Sequence, residues 1–185
     1  MIINLCKHKM HALEFVQPVC DILKRLEVDY NVREYFRLKK SDLDVEKVIF
    51  CGTSLQDFDY LKNIKIFDWL LDYQGDILGI CGGAQILAHL FGGEVYKNKE
   101  IGKTEVIVEA KFAGFLGLPE KFFVYSLHNL GIIPPKDFEI AARSAQGVQI
   151  MKKEQLIDKK KKMILGVLFH PEVLNHEIIE RFALS

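Results

Sequence analysis

The sequence has no surplus of either charge. Its 25 Lys+Arg residues match 25 Asp+Glu, so the formal net charge is zero with the histidines neutral. Proteins that ride on phosphate backbones carry a basic field, and its absence argues against nucleic acid as a partner. Nor does any apolar run approach the ~18 residues of a membrane span, so no membrane is expected. The N-terminal Met1-Ile2-Ile3-Asn4-Leu5-Cys6 is too short for a secretory leader and lacks a basic lead. No two of the four cysteines, Cys6, Cys20, Cys51 and Cys81, form a C-x-x-C pair, and neither a zinc ribbon nor a disulfide framework is indicated. Reduced thiols and a soluble, cytoplasmic chain are expected. There is no internal repeat and no low-complexity linker.

What is present is ordinary globular composition, 49% hydrophobic and 27% charged, enough to bury a core. The 185 residues are read as a single domain, 1–185. Ile2–Cys6 opens as a strand. Residues 12–26 have apolar positions at helical spacing, interrupted by Pro18. Val28–Tyr35 is β-rich, Lys47–Cys51 reads as a buried strand ending at Gly52, Tyr60–Tyr73 as a helix and Asp76–Ile80 as another buried strand. Ala84–Phe91 reads as a short helix closed by Gly92-Gly93. This alternation predicts a parallel sheet with helices on both faces.

The second half is β-rich. Short strands are expected at Glu94–Tyr96, Glu105–Glu109, Phe122–Ser126, Phe138–Ser144 and Gly147–Met151. A last sheet strand at Met163–Phe169 and a helix near Asn175–Phe182 follow. The basic run Lys159–Lys162 reads as a solvated turn.

The chemistry concentrates at two strand ends. In Gly79-Ile80-Cys81-Gly82-Gly83-Ala84-Gln85 a buried strand ends in a cysteine flanked by small residues, and a helix starts at once. Such an elbow lifts a nucleophile above a sheet, beside a helix N-terminus that favours thiolate and oxyanion. The bland alternative is a small buried apolar residue. A phosphate loop is a poorer fit, because the lysine and Ser/Thr of a P-loop are missing.

A cysteine nucleophile needs a base and the base an orienter. Of six histidines, His170 stands out. It ends the run Met163–Phe169, is followed by Pro171, and has Glu172 two residues on, within reach of its ring. In parallel sheets functional groups gather at the carboxyl ends of strands. His8 and His11 form a loose C-x-H-x-x-H with Cys6, but no fourth ligand is apparent and no metal is expected. His89 lies in the helix after the elbow, and His176 at the start of the last helix.

These residues carry a resemblance. Gly79-Ile80-Cys81-Gly82-Gly83-Ala84-Gln85 resembles the G-x-C-x-G-x-Q elbow of class I, triad-type glutamine amidotransferases. Gly166-Val167-Leu168-Phe169-His170-Pro171-Glu172 resembles their G-x-x-F-H-P-E signature, with Leu168 where a glutamine is common. The resemblance implies a flavodoxin-like α/β fold with a β-rich insertion, and no cofactor. It implies that Cys81 attacks the side-chain amide of glutamine, that His170 moves the protons and that Glu172 orients His170, giving glutamate and ammonia.

The resemblance also implies an oxyanion hole from the Gly82 N–H and a glycine-rich loop, here Gly52 and Thr53. Thr53 and Ser54 stand where relatives carry glycine and proline, and a β-branched residue tolerates positive φ poorly. Gln85 matches a substrate-contacting glutamine. Ser126, Leu127, His128 and Asn129 lie where relatives hold the substrate's amino-acid end, partly through backbone; His128 reads equally well as a surface loop residue.

Pro135-Lys136-Asp137-Phe138 through Ser144 resembles the P-x-x-F-x-x-x-A-x-S pattern of the GMP synthase glutaminase. A separate glutaminase subunit with a synthetase partner is therefore the expected function. Two other readings stay open: a stand-alone γ-glutamyl hydrolase or peptidase on the same fold, and a non-catalytic regulatory subunit that keeps the triad residues.

Overall fold

The computed structural model describes residues 1–157 and 160–185. Five strands pair in parallel: β1 (Ile2–Asn4), β2 (Val32–Glu34), β3 (Lys47–Phe50), β4 (Asp76–Ile80) and β9 (Lys160–Val167). Four more continue the same sheet in antiparallel fashion: β5 (Glu94–Val108), β6 (Lys121–Ile133), β7 (Glu139–Ser144) and β8 (Gly147–Ile157). The order across the sheet is β2-β1-β3-β4-β9-β8-β7-β5-β6. Counting β9 as the fifth parallel strand gives 2-1-3-4-5, the flavodoxin-like order.

The inner parallel strands β1, β3, β4 and the end of β9 are buried on both faces, as helix-covered sheets require, while the edge strand β2 is partly exposed. Ile2, Ile49, Leu78, Ile80, Leu165 and Val167 face one core. It is completed by α1 (Lys9–Phe15), α2 (Gln17–Arg25) and α5 (Glu177–Leu184), through Phe15, Val19, Ile22, Leu23, Ile178 and Phe182. Ile3, Val48, Phe50, Ile77 and Ile164 face the other, against Phe67, Leu70 and the Ile86 and Leu87 side chains of α4 (Gly82–Leu90). Fully buried side chains such as Phe50, Phe67 and Phe182 each contribute roughly 1.5–3 kcal/mol.

The 12–26 segment divides at Val16, with Pro18 in the first turn of α2, where its missing N–H costs nothing. The helix expected over 60–73 is instead a short α3 (Asp59–Lys62) and a 3-10 stretch, Ile64–Leu71. The Asp59 carbonyl accepts both the Asn63 backbone N–H at 3.1 Å and the Asn63 side chain at 2.8 Å, and the next turn, from Ile66 N–H to the Asn63 carbonyl at 2.9 Å, is already 3-10. Val28–Tyr35 yields only the three residues of β2.

The short strands expected between 94 and 126 are two long ones. β5 and β6 pair from Glu94↔Ile133 to Ile107↔Lys121, with a bulge between Lys97 and Glu100. The polar run Lys97-Asn98-Lys99-Glu100, between two of the expected strands, is strand because the ribbon has a solvated face for Lys97 and Lys99 and polar partners for the buried Glu100. β8 and β9 likewise extend into a hairpin, Gln155↔Lys162 to Ile157↔Lys160. Lys160–Lys162 are therefore strand, not turn, and Lys162 is buried, with its ammonium on the Tyr73 carbonyl; Lys159 lies outside the described residues. Among the described residues no helix is long and apolar enough to cross a membrane.

β6 buries Phe122 and Val124 in one core and Ile132 in the other. It thus passes from one face of the sheet to the other, and where it crosses, Tyr125–Asn129 lies against the ends of β4 and β9.

Candidate active site

The register of the parallel sheet assembles the site. Ile80 pairs with Val167, and the Cys81 N–H still donates to the Val167 carbonyl at 2.8 Å. Cys81 then turns at φ 47°, ψ −99° and caps α4. A side chain is held at positive φ only against strain of about 1–3 kcal/mol. Gly79 and Gly83 let the helix come down on the sheet: a β-carbon at 79 would stand 2.5 Å from the Gly83 carbonyl carbon, and one at 83 would stand 2.6 Å from the Phe50 Cβ. The N–H groups of Gly82 and Gly83 belong to the first turn of α4, where no intrahelical acceptor exists.

His170 follows three residues after Val167. Its backbone N–H donates to the Tyr125 carbonyl at 2.9 Å, tying the turn to β6. Its Nδ1 stands 2.7 Å from Glu172 Oε1, and both side chains are buried. Among the described residues, Nε2 has no hydrogen-bond partner. The Phe15 ring of α1 packs on the imidazole at 5.3 Å between centroids. Burial opposes a charged ring, but the charges of Glu172 and Cys81 outweigh it and hold the His170 pKa well above the ordinary value. His170 and Glu172 are thus paired just past the end of β9, next to β4, which ends at Cys81.

Gly52 lies against the other two. A β-carbon there would come 2.5 Å from His170 Cε1 and 3.5 Å from Cys81 Cβ. Two further cysteines border the site as thiols. Burial pushes the Cys6 thiol up to about 11. Burial, followed by the Glu172 charge, pushes Cys51 well above its ordinary value. All four cysteines are free and buried.

The 52–57 loop is not the strained turn that a threonine in place of glycine suggests. No residue in it has positive φ. Thr53 is buried and its Oγ1 donates to Asp57 Oδ2 at 3.0 Å; the same oxygen accepts the Lys7 N–H at 2.7 Å. Asp57 is not legible in the sequence as a site residue; a lone aspartate in Leu55-Gln56-Asp57-Phe58 gives no signal. Leu55 is held in turn by Asn129, whose Nδ2 donates to its carbonyl at 2.9 Å.

Gln85 is buried, with its amide already engaged. Tyr60 Oη donates to its Oε1, and its Nε2 donates to the Leu130 carbonyl at 3.1 Å. Burial, with the Cys81 charge second, holds the Tyr60 phenol protonated. Tyr60 escapes the sequence reading, where it passes for a helical core residue. The Leu127 carbonyl lies 3.7 Å from Cys81 Sγ. Ser126 is fully buried, and its Oγ has no partner among the described residues. His128 is buried as well, not a surface loop residue; its Nδ1 is 3.2 Å from the Asn98 carbonyl.

A cleft of about 620 Å³ opens beside this arrangement, between α1 and the 54–59 loop. Phe15, His8, His11, Leu55, Asp57 and Leu127 are among its walls. Two of these walls also touch the Cys81–His170 region: Phe15 packs on the His170 ring, and the Leu127 carbonyl lies 3.7 Å from Cys81 Sγ. Among the described residues no cluster of three His, Cys, Asp or Glu side chains is placed to hold a metal.

Comparison with known proteins fits this geometry. The family model described as glutamine amidotransferase class-I matches residues 12–182. A Thermoplasma acidophilum protein, named as one subunit of glutamine-hydrolysing GMP synthase, is 44% identical over 157 residues, 82% of this chain and 76% of its own length. The glutamine-hydrolysing GMP synthase of Listeria innocua is 30% identical along 97% of this chain, which spans only 36% of that longer protein. A crystal structure of a Thermoplasma acidophilum protein provisionally assigned as one GMP synthase subunit superposes with a TM-score of 0.80 at 29% identity, covering 100% of this chain and 92% of that one.

Proposed function

The chain belongs to the class I glutamine amidotransferase family, and on that premise we propose that it hydrolyses the side-chain amide of glutamine and passes the ammonia to a separate synthetase subunit of the GMP synthase type. The observation that carries the reading is a buried His170–Glu172 pair at 2.7 Å, packed with Gly52 against a cysteine on a positive-φ elbow.

The Cys81 thiolate attacks the amide carbon. Charge gathers on the former carbonyl oxygen, which accepts hydrogen bonds from the Gly82 N–H and from a backbone N–H of the Gly52–Thr53 loop. His170 gives its Nε2 proton to the nitrogen, the C–N bond breaks, ammonia leaves and a thioester remains. Water then loses a proton to His170 and attacks the thioester. The C–S bond breaks, releasing glutamate and restoring Cys81. One water is consumed for each ammonia and glutamate formed. Glu172 orients the ring throughout, and Phe15 closes over it against water.

The amino-acid end of glutamine lies along the Ser126–Asn129 segment. Gln85, whose amide is spent on Tyr60 and Leu130, shapes the wall between α4 and β6. The cleft beside α1 is the entrance. The 52–57 loop is latched by Asp57 and Asn129, so a partner resting on it can adjust the loop's donor, and one such donor is worth on the order of 10²–10³ in rate.

The test is ammonia release from glutamine by the pure chain, with and without its co-purifying synthetase and that enzyme's substrates. A rise in kcat on adding the partner is expected. Full activity of the chain alone, indifferent to any partner, favours a stand-alone γ-glutamyl hydrolase instead.

A further inference from the structure

Glu100 is a buried carboxylate that the chemistry above does not use. It sits at the bulge of β5, and its neighbours come from three other strands. Oε1 accepts from Ser144 Oγ of β7 at 3.0 Å, and Oε2 accepts from Gln149 Nε2 of β8 at 2.6 Å. Ser144 Oγ also accepts from Gln149 Nε2, at 3.1 Å. His128 of β6, directly opposite in the register, brings Nε2 to 3.4 Å from Oε2, an ion-pair distance without hydrogen-bond alignment. Burial resists the charge, yet these partners hold the Glu100 carboxyl below its ordinary range. A paired, charged carboxylate in such a place costs desolvation that apolar packing avoids, so its use is in fixing geometry.

The geometry it fixes is that of the reactive groups. On β6, one residue from His128, the Leu127 carbonyl lies 3.7 Å from Cys81 Sγ; two residues further back, the Tyr125 carbonyl holds the His170 N–H. On β8, the Gln149 carbonyl accepts the Leu168 N–H at 2.9 Å, two residues before His170. The bulge between Lys97 and Glu100 brings Asn98 into reach: its carbonyl faces His128 Nδ1. We infer that Glu100 is a positioning residue, clamping β6 and β8 through His128, Ser144 and Gln149 so that the 125–129 segment is held in register against Cys81 and His170. The inference rests on the proposed glutaminase reading for its kinetic consequence, but not for its structural one.

Glu100→Gln keeps the shape of the side chain and removes its charge. In the full chain, without substrate, amide exchange of residues 125–130 should accelerate on the order of 10-fold relative to wild type, the worth of one charge-assisted hydrogen bond. Exchange in β1 and β3, and the rate of Cys81 alkylation by iodoacetamide, should stay within about twofold. With the synthetase partner present, KM for glutamine should rise on the order of 10-fold with a smaller change in kcat, because binding along the segment is lost while the triad remains. Glu100→Asp should recover part of the KM. Unchanged exchange at 125–130 overturns the inference, as does acceleration spread evenly over the whole chain, which would make Glu100 a general stabiliser. A wild-type chain that releases no ammonia with its partner overturns the proposed function instead, and the exchange comparison still decides the clamp.

Discussion

A β-carbon at position 52 would sit 2.5 Å from Cε1 of His170. The ring cannot retreat easily, because its Nδ1 is bound to Glu172 and its face is covered by Phe15. Gly52→Ala should therefore push the base off its line to Cys81. A misplacement of this size costs on the order of 10² in kcat, and overpacking costs about 1–3 kcal/mol. Ammonia release and urea unfolding measure the two; a variant with unchanged kcat would mean that the loop, not the ring, yields.

Cys81→Ala should abolish turnover, since no thioester can form. Cys81→Gly should be equally inactive but more stable than Cys81→Ala by about 1 kcal/mol, because glycine relieves the positive φ. Denaturation of the two inactive variants side by side checks this. Equal midpoints would show that the elbow is unstrained.

Glu172→Gln should slow ammonia release less than His170→Ala does, because an orienter contributes less than the base it orients. Equal losses would give the carboxylate a larger role.

The same pair predicts a pH dependence of stability. His170 has a folded pKa raised well above ordinary because the Glu172 and Cys81 charges outweigh burial. The stabilisation from its charged form is full below the unfolded value of about 6.5 and is lost as pH rises through the folded value. Wild type should therefore exceed His170→Asn in Tm most at the acid end of this window, with the gap closing towards alkaline pH. A gap that widens with pH would contradict the direction of the shift.

Asp57→Ala removes the acceptor of both Thr53 Oγ1 and the Lys7 N–H. The 52–57 loop then loses its latch to the start of α1. With the partner present, kcat should fall on the order of 10-fold through the oxyanion donor, while alkylation of Cys81 by iodoacetamide is little changed. A loss confined to KM would place the loop in substrate binding instead.

The parallel half of the fold is legible in the sequence because strands buried on both faces, such as Val48-Ile49-Phe50 and Ile77 to Ile80, are continuous apolar runs bounded by glycine. Cys81, His170 and Glu172 are legible because each lies at or just past the end of such a run. The ribbon is not: Lys97-Asn98-Lys99-Glu100 is polar at every position, and nothing local distinguishes a solvated strand with a bulge from a loop. The 64–71 segment has helical periodicity, and apolar spacing does not separate an α-helix from the 3-10 stretch it forms. Asp57, Tyr60 and Glu100 act through partners distant in the chain. Tyr60 reaches Gln85 across 25 residues, Glu100 reaches Gln149 across 49, and Asp57 reaches Lys7 across 50. Spacing along the chain carries no trace of such pairs.

The pairing of β4 with β9 has a consequence for how the molecule is made. Cys81 and His170 meet only when Ile77–Ile80 finds Ile164–Val167, across a stretch that contains the whole β5–β8 meander. Local pairings such as β7–β8 close a short stretch of chain and should form first, whereas the parallel pairing needs a long closure. During synthesis and refolding, Cys81 should therefore exist for a time without His170 beside it. Assembly of Cys81 beside His170 marks the end of that interval, so the first appearance of ammonia release from glutamine should time completion of the fold.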